Sequence, residues 1–254
     1  MSCPIPAGDY VKHFDPELAP HRAWLLAVLE HLVAHEPQAL QEGGTLRQLW
    51  TAHQAVETGS PAPSALPPAQ ATTTASRGNP LSVPWFAQLD SATDEGRRMC
   101  FSSSCAMLLA FLKPGVLSGP NGDDQYLARV HQFGDTTDPA AQIKALASYG
   151  IKARFSNQAS FSTLEEQIAA GSPVPCGYLH RGPVSSPAGG GHWLIVVGIT
   201  ATHVIVHDPL GEADLVTGRT IGGTARFCRY SRQNFGRRWM VEGDCSGWAV
   251  LAEA

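Results

Sequence analysis

Several features that would commit a chain to a class are missing from this one of 254 residues, and each absence excludes something. No apolar run approaches the roughly 20 residues that a membrane-spanning helix requires, so no membrane segment is expected. The opening Met1-Ser2-Cys3-Pro4-Ile5-Pro6 has no basic region ahead of an apolar one, so a protein made in the cytoplasm without a secretion signal is expected. Charge of one sign is also lacking: 18 basic against 22 acidic side chains leave a formal charge of −4, without the basic footprint of a nucleic-acid binder. The cysteines Cys3, Cys100, Cys105, Cys176, Cys228 and Cys245 include no Cys-x-x-Cys pair and no zinc-finger spacing. Most of them read as free thiols. The glycine-rich stretch Pro187-Ala188-Gly189-Gly190-Gly191 has no phosphate-loop pattern, and suits close approach of backbone to an extended peptide. Asp123, Asp124, Asp135 and Asp138 lack the ligand order and terminal glutamate of a calcium loop, and read as helix caps and turns. No cofactor and no metal are expected.

What is present divides visibly. Residues 59–80 are rich in Pro, Ala, Ser and Thr and nearly uncharged, the composition of a linker. Before them, residues 1–58 carry a helix start at Asp15-Pro16-Glu17, and Trp24, Leu25, Val28, Leu29 and Leu32 recur at helical spacing, with a shorter helix through Leu46, Leu49 and Trp50. That small helical segment is either structural packing or a cell-wall-binding module. Residues 81–254 alternate helix and strand patterns. Helices are expected after Cys100, at 140–147 and at 163–170, and strands at 151–155, 174–179, 193–199, 204–206 and 248–251. The fold class is therefore α+β, a helical lobe followed by an antiparallel sheet.

Cys100 opens the apolar stretch that runs to Leu112 and reads as a buried helix. Unpaired N–H groups and partial positive charge at a helix start favour the thiolate, which is the attacking form of cysteine. His192 opens the apolar run 193–199, and Asp208 follows the run 204–207. Two strands joined by a turn near Thr200-Ala201-Thr202 bring the outer ends of that hairpin side by side, so sixteen residues of sequence become spatial contact. In this arrangement His192 moves the thiol proton and Asp208 fixes the imidazole tautomer. Gln88, twelve residues before Cys100, offers an amide to a developing oxyanion beside the Cys100 N–H. Taken singly, each residue has an ordinary role in packing or a turn. Their order, helix-start placement and hairpin spacing agree on a Cys-His-Asp site. Cys105, on another face of the same helix among Ala106, Met107 and Leu108, reads as buried yet is a rival nucleophile.

The segments Val83–Gln88, Cys100–Leu109, Gly191-His192-Trp193 to Gly198 and Val206-His207-Asp208-Pro209 resemble the thirty-ninth family of cysteine peptidases, the bacteriocin-leader or double-glycine peptidases of papain-like fold. The phrases Gly122–Leu127, Phe133–Asp138, Gly189–Trp193 and Arg238–Gly243 are closest to stand-alone phage and prophage relatives, the endolysins. The resemblance implies a papain-like fold over residues 81–254, Cys100 as nucleophile, His192 as base, Asp208 as orienting acid and Gln88 in the oxyanion hole. It also implies a peptide substrate, most readily peptidoglycan, met at the cell wall after release. Two departures stand out: Phe101 occupies a position where relatives carry glycine or another small residue, and the Gln88–Cys100 gap is longer than theirs. The extra residues 90–99 are polar, contain Arg97-Arg98, and read as a loop at the rim of the cleft. The same residues serve acyl transfer or amidase chemistry, and a silent peptide-binding module is a third reading, which retention of all three residues opposes.

A chain truncated to start near Asn79 is expected to fold and keep its chemistry on a small soluble peptide, because every candidate site residue lies downstream of the linker. If residues 1–58 bind cell walls, that segment pellets with purified walls in co-sedimentation and the truncated chain loses efficiency only on intact walls. No pelleting, with full wall activity after truncation, reduces those helices to packing.

Overall fold

The computed structural model describes residues 78–253; the helices expected within 1–58 and most of the linker expected over 59–80 lie outside them. Among the described residues the first α-helix, α1 (Cys100–Leu112), forms where the sequence runs apolar, and every residue from Phe101 to Ala110 is buried. A helix buried all round must answer its own polar groups. Ser102 Oγ meets Thr136 Oγ1 at 2.8 Å and accepts from Gln142 Nε2 at 2.8 Å, while Ser103 Oγ donates to Asp123 Oδ2 at 2.6 Å. Those partners come from α2 (Gly122–Val130), α3 (Pro139–Ser148) and the turn between them, which pack against α1. α3 begins as its sequence requires: Asp138 caps the Ala140 N–H at 2.8 Å and proline occupies the first turn.

The chain then enters β1 (Ala153–Ala159) and α4 (Phe161–Ala169), the latter started by a Ser160–Thr163 capping box. β2 (Val174–Tyr178), β3 (His192–Ile199), β4 (His203–His207), β7 (Cys228–Ser231) and β8 (Gly247–Ala252) complete an antiparallel sheet in the order β1-β8-β2-β3-β4-β7. A two-stranded ribbon, β5 (Glu212–Asp214) with β6 (Arg219–Gly222), stands apart, and α5 (Arg232–Trp239) follows β7. β2 and β3 are buried along their whole length, and since consecutive side chains face opposite ways both faces of the sheet are covered there. α1 packs on these two strands, as do α4 and, on β2, α5. The helix-first, antiparallel-sheet layout is the one expected.

The expected helices and strands are present with shifted ends, and β1 starts two residues later than its apolar pattern and runs on to Ala159. Two helices were not legible. α2 holds only Tyr126, Leu127, Val130 and Ala128 as apolar residues, and α5 is strongly polar in sequence although it buries Phe235, Trp239 and Arg238. The Arg238 guanidinium forms no direct ion pair among the described residues, and Asp214 acts on it from longer range. It donates instead to the carbonyls of Leu215 (2.7 Å), Leu179 (2.9 Å), Arg181 (3.1 Å) and Gly182 (2.7 Å), stapling the β2–β3 connection to the β5–β6 ribbon. The rim loop is tied down too: Ser91 Oγ and the Ala92 N–H donate to Asp124, and Arg98 bridges Glu95 and Asp135.

Asp123 is wholly buried, and burial pushes its carboxyl up from an ordinary value near 3.8 to about 6, against the Ser103 hydrogen bond that favours ionisation. An acid with a raised folded-state pKa holds its proton more tightly folded than unfolded, so its contribution to stability falls as pH rises from about 4 to about 6. Asp123→Asn keeps an acceptor for Ser103 and removes the buried charge. In urea unfolding the variant is expected to gain on the wild type across that window, by about 3 kcal/mol at neutral pH; parallel stability–pH curves contradict this.

Candidate active site

Cys100 is the first residue of α1 and half-buried, and its N-cap residue is Met99, whose side chain offers no oxygen to the first-turn N–H groups. Those amides and the helix dipole are left to favour an anion at the Cys100 end. His192 is the first residue of β3, where Gly191, in the left-handed region at φ 89°, turns the chain into the strand. Asp208 follows β4, and the Thr200–Thr202 turn between β3 and β4 is closed by the Thr200 N–H donating to the His203 carbonyl at 2.8 Å. Register does the rest: Ile195 pairs with His207, which sets Asp208 beside the start of β3.

The result is a buried pair, His192 Nε2 and Asp208 Oδ1 at 2.7 Å. The other ring nitrogen of His192 is not engaged by Asp208, and the sulfur of Cys100 lies close enough to act on the imidazole. Burial by itself lowers the pKa of His192. The Asp208 carboxylate and the sulfur of Cys100, acting by charge and by hydrogen bonding, outweigh it and raise the value. Asp208 is fixed in turn, for the Leu210 N–H donates to Oδ1 at 2.9 Å and Tyr178 Oη to Oδ2 at 3.4 Å. Trp85 Nε1 holds the Asp208 carbonyl at 3.0 Å.

Gln88 lies in a short 3-10 helix (Gln88–Asp90), buried, with its N–H bonded to the Pro209 carbonyl at 2.9 Å. Its backbone is thereby tied next to Asp208. Its side-chain Nε2 donates one proton to the Gly96 carbonyl at 2.8 Å, which leaves the second amide proton, while Oε1 has no partner. Cys105 is fully buried, near Tyr126, and burial pushes its thiol far up, so it is a packing residue and not a rival nucleophile. The free thiols among the described residues are Cys100, Cys105, Cys176 and Cys228, of which Cys105 and Cys176 are fully enclosed and Cys100 is the most exposed. Two further histidines flank the pair. His207 is buried, accepts from the Phe227 N–H at 2.9 Å and contacts the Val83 carbonyl at 3.1 Å. The ring of His180 lies 5.6 Å from that of His192, and burial with repulsion from His192 and Arg181 lowers its pKa to about 4.

Tyr178, Trp85, His180 and Gly96 were not singled out by sequence. Tyr178 sits opposite His192 in the β2–β3 ladder, and only the register reveals it. Among the described residues no group of three or more His, Cys, Asp or Glu side chains is placed to hold a metal, and no helix is long and apolar enough to cross a membrane.

Residues 80–239 match the Peptidase_C39 like family. Among curated proteins none matches the chain. Two solved structures are similar. One is a double glycine motif protease from an AMS/PCAT transporter in complex with the leader peptide, 17% identical, with a TM-score of 0.41 over 69% of this chain and 94% of that one. The other is a protein from Bacillus anthracis described as a C39-like peptidase, 18% identical, with a TM-score of 0.47 over 68% of this chain and 95% of that one.

Asp208→Asn is expected to keep the fold, since an amide oxygen still accepts from His192 and Leu210 while its nitrogen turns to Tyr178. Loss of the carboxylate removes the charge that holds the imidazolium, so the His192 titration followed by NMR moves down by about 1 to 3 pH units. An unmoved titration denies Asp208 that role.

Proposed function

We propose a catalytic assignment for a chain that belongs to the Peptidase_C39 like family and is therefore a cysteine peptidase: Cys100 is the nucleophile, His192 its base, Asp208 the orienting acid and Gln88 an oxyanion donor. The observation that carries the assignment is the buried 2.7 Å His192–Asp208 bond, with the sulfur of Cys100 close enough to act on the same imidazole. With sulfur deprotonated and imidazole protonated, the thiolate attacks the scissile carbonyl carbon. Negative charge develops on the carbonyl oxygen, where the Cys100 N–H and the second Gln88 amide proton are the available donors. The C–N bond breaks as His192 protonates the leaving amine, and a thioester remains on Cys100. Water, deprotonated by His192, then attacks the thioester, releasing the acid and returning the proton to the sulfur–imidazole pair.

The substrate class we assign is the stem or cross-bridge peptide of peptidoglycan. Its support is the resemblance of Gly122–Leu127, Phe133–Asp138, Gly189–Trp193 and Arg238–Gly243 to phage wall-lytic relatives. On this reading the protein is an endolysin, made in the cytoplasm and acting on the wall after release. A peptide held across the cleft meets the Gly189–Gly191 segment, where backbone without side chains permits close approach.

Purified peptidoglycan digested with the protein is expected to yield new amino termini by mass spectrometry, and Cys100→Ala to yield none while keeping its helix. New reducing ends refute peptide-bond cleavage. Absence of products, with cleavage of a double-glycine leader peptide instead, moves the substrate class away from the wall.

A further inference from the structure

Phe101 and Trp193 directly follow Cys100 and His192, and the two aromatic rings lie against each other. Their centroids are 3.6 Å apart and their planes differ by 4°. Aromatic pairs left to their own electrostatics take offset or edge-on arrangements with centroids about 4.5–7 Å apart. A closer, nearly parallel overlap is imposed by what surrounds it. Phe101 is 1% and Trp193 8% exposed, and behind the indole stands Gly177, its ladder partner on β2. A Cβ built on Gly177 would come within 2.9 Å of Trp193 Cε2 and Cζ2. The indole is therefore gripped between the Phe101 ring and the bare backbone of β2.

We infer that the Phe101–Trp193 stack, seated on Gly177, is a gauge that sets the separation of Cys100 from His192. The inference rests on the catalytic assignment above. Each reacting residue is one peptide unit, about 3.8 Å between Cα atoms, from a ring of the stack, so the start of α1 and the start of β3 are spaced by one aromatic contact. Two flat rings have one contact distance. Gly177 is the third part of the device, because any side chain there would displace the indole toward α1. Phe101 is thus a positioning residue acting through Trp193.

The test follows the rate of iodoacetamide alkylation of Cys100 at neutral pH, read by mass spectrometry of the Cys100 peptide in the full chain, alongside peptidoglycan digestion and the melting temperature. Wild-type Cys100 is expected to be alkylated about tenfold or more faster than Cys100 in His192→Ala. Phe101→Leu keeps an apolar side chain without the flat ring. It is expected to slow alkylation toward the His192→Ala rate and to slow digestion about tenfold or more. Trp193→Phe keeps a ring on the ring and is expected to hold the wild-type alkylation rate, whereas Trp193→Leu behaves as Phe101→Leu does. This second pair reads the stack should Phe101→Leu not fold. A role confined to packing lowers the melting temperature in all three variants and leaves the alkylation rate where it was, which overturns the inference while the catalytic assignment survives. Equal alkylation rates in the wild type and His192→Ala end both.

Discussion

A buried carboxylate must have its charge answered, and the arrangement around Asp208 is the answer on which the site depends. Asp208 has no exposed surface, so leaving it unpaired would carry a desolvation cost of several kcal/mol. Three donors converge on its two oxygens, from His192 on β3, Tyr178 on β2 and the backbone of Leu210. The convergence has chemical consequences. It commits one nitrogen of His192, presents the other to Cys100, and favours the protonated imidazole even though burial opposes it.

The same rule governs the rest of the interior. α1 is so enclosed that Ser102 and Ser103 are satisfied only because α2, α3 and the turn at Thr136 bring Asp123, Gln142 and Thr136 against them. Polar bonds across that surface set the helix register as apolar contacts alone do not, and with it the place of Cys100. Arg238 shows the cationic version, a guanidinium whose N–H groups are spread over four carbonyls. That staple holds the β2–β3 connection out of which His192 emerges.

Much of this was legible in the sequence. The apolar run behind Cys100 and the paired runs flanking Thr200–Thr202 are local patterns, and local patterns report whether a segment is helix or strand and which residue begins it. α2 and α5 escaped because their burial rests on few apolar residues amid polar ones, and periodicity has little to count. The extra loop before Cys100 read as a rim loop; what its pattern did not disclose is that Gly96 takes one proton of the Gln88 amide and that Asp124 and Asp135 anchor it.

By itself, then, the sequence determined the layout of helices before strands, and the Cys, His and Asp placed at the starts and ends of those elements. These follow from neighbours along the chain, whose steric and solvation preferences act over a few residues. The tertiary structure alone decided what faces what: Tyr178 on the second oxygen of Asp208, Trp85 on its carbonyl across more than a hundred residues of chain, and the Phe101 ring on the indole beside His192. Such contacts depend on strand register and on the approach of α1 to the sheet, and a shift of one residue in either would turn different side chains toward the site.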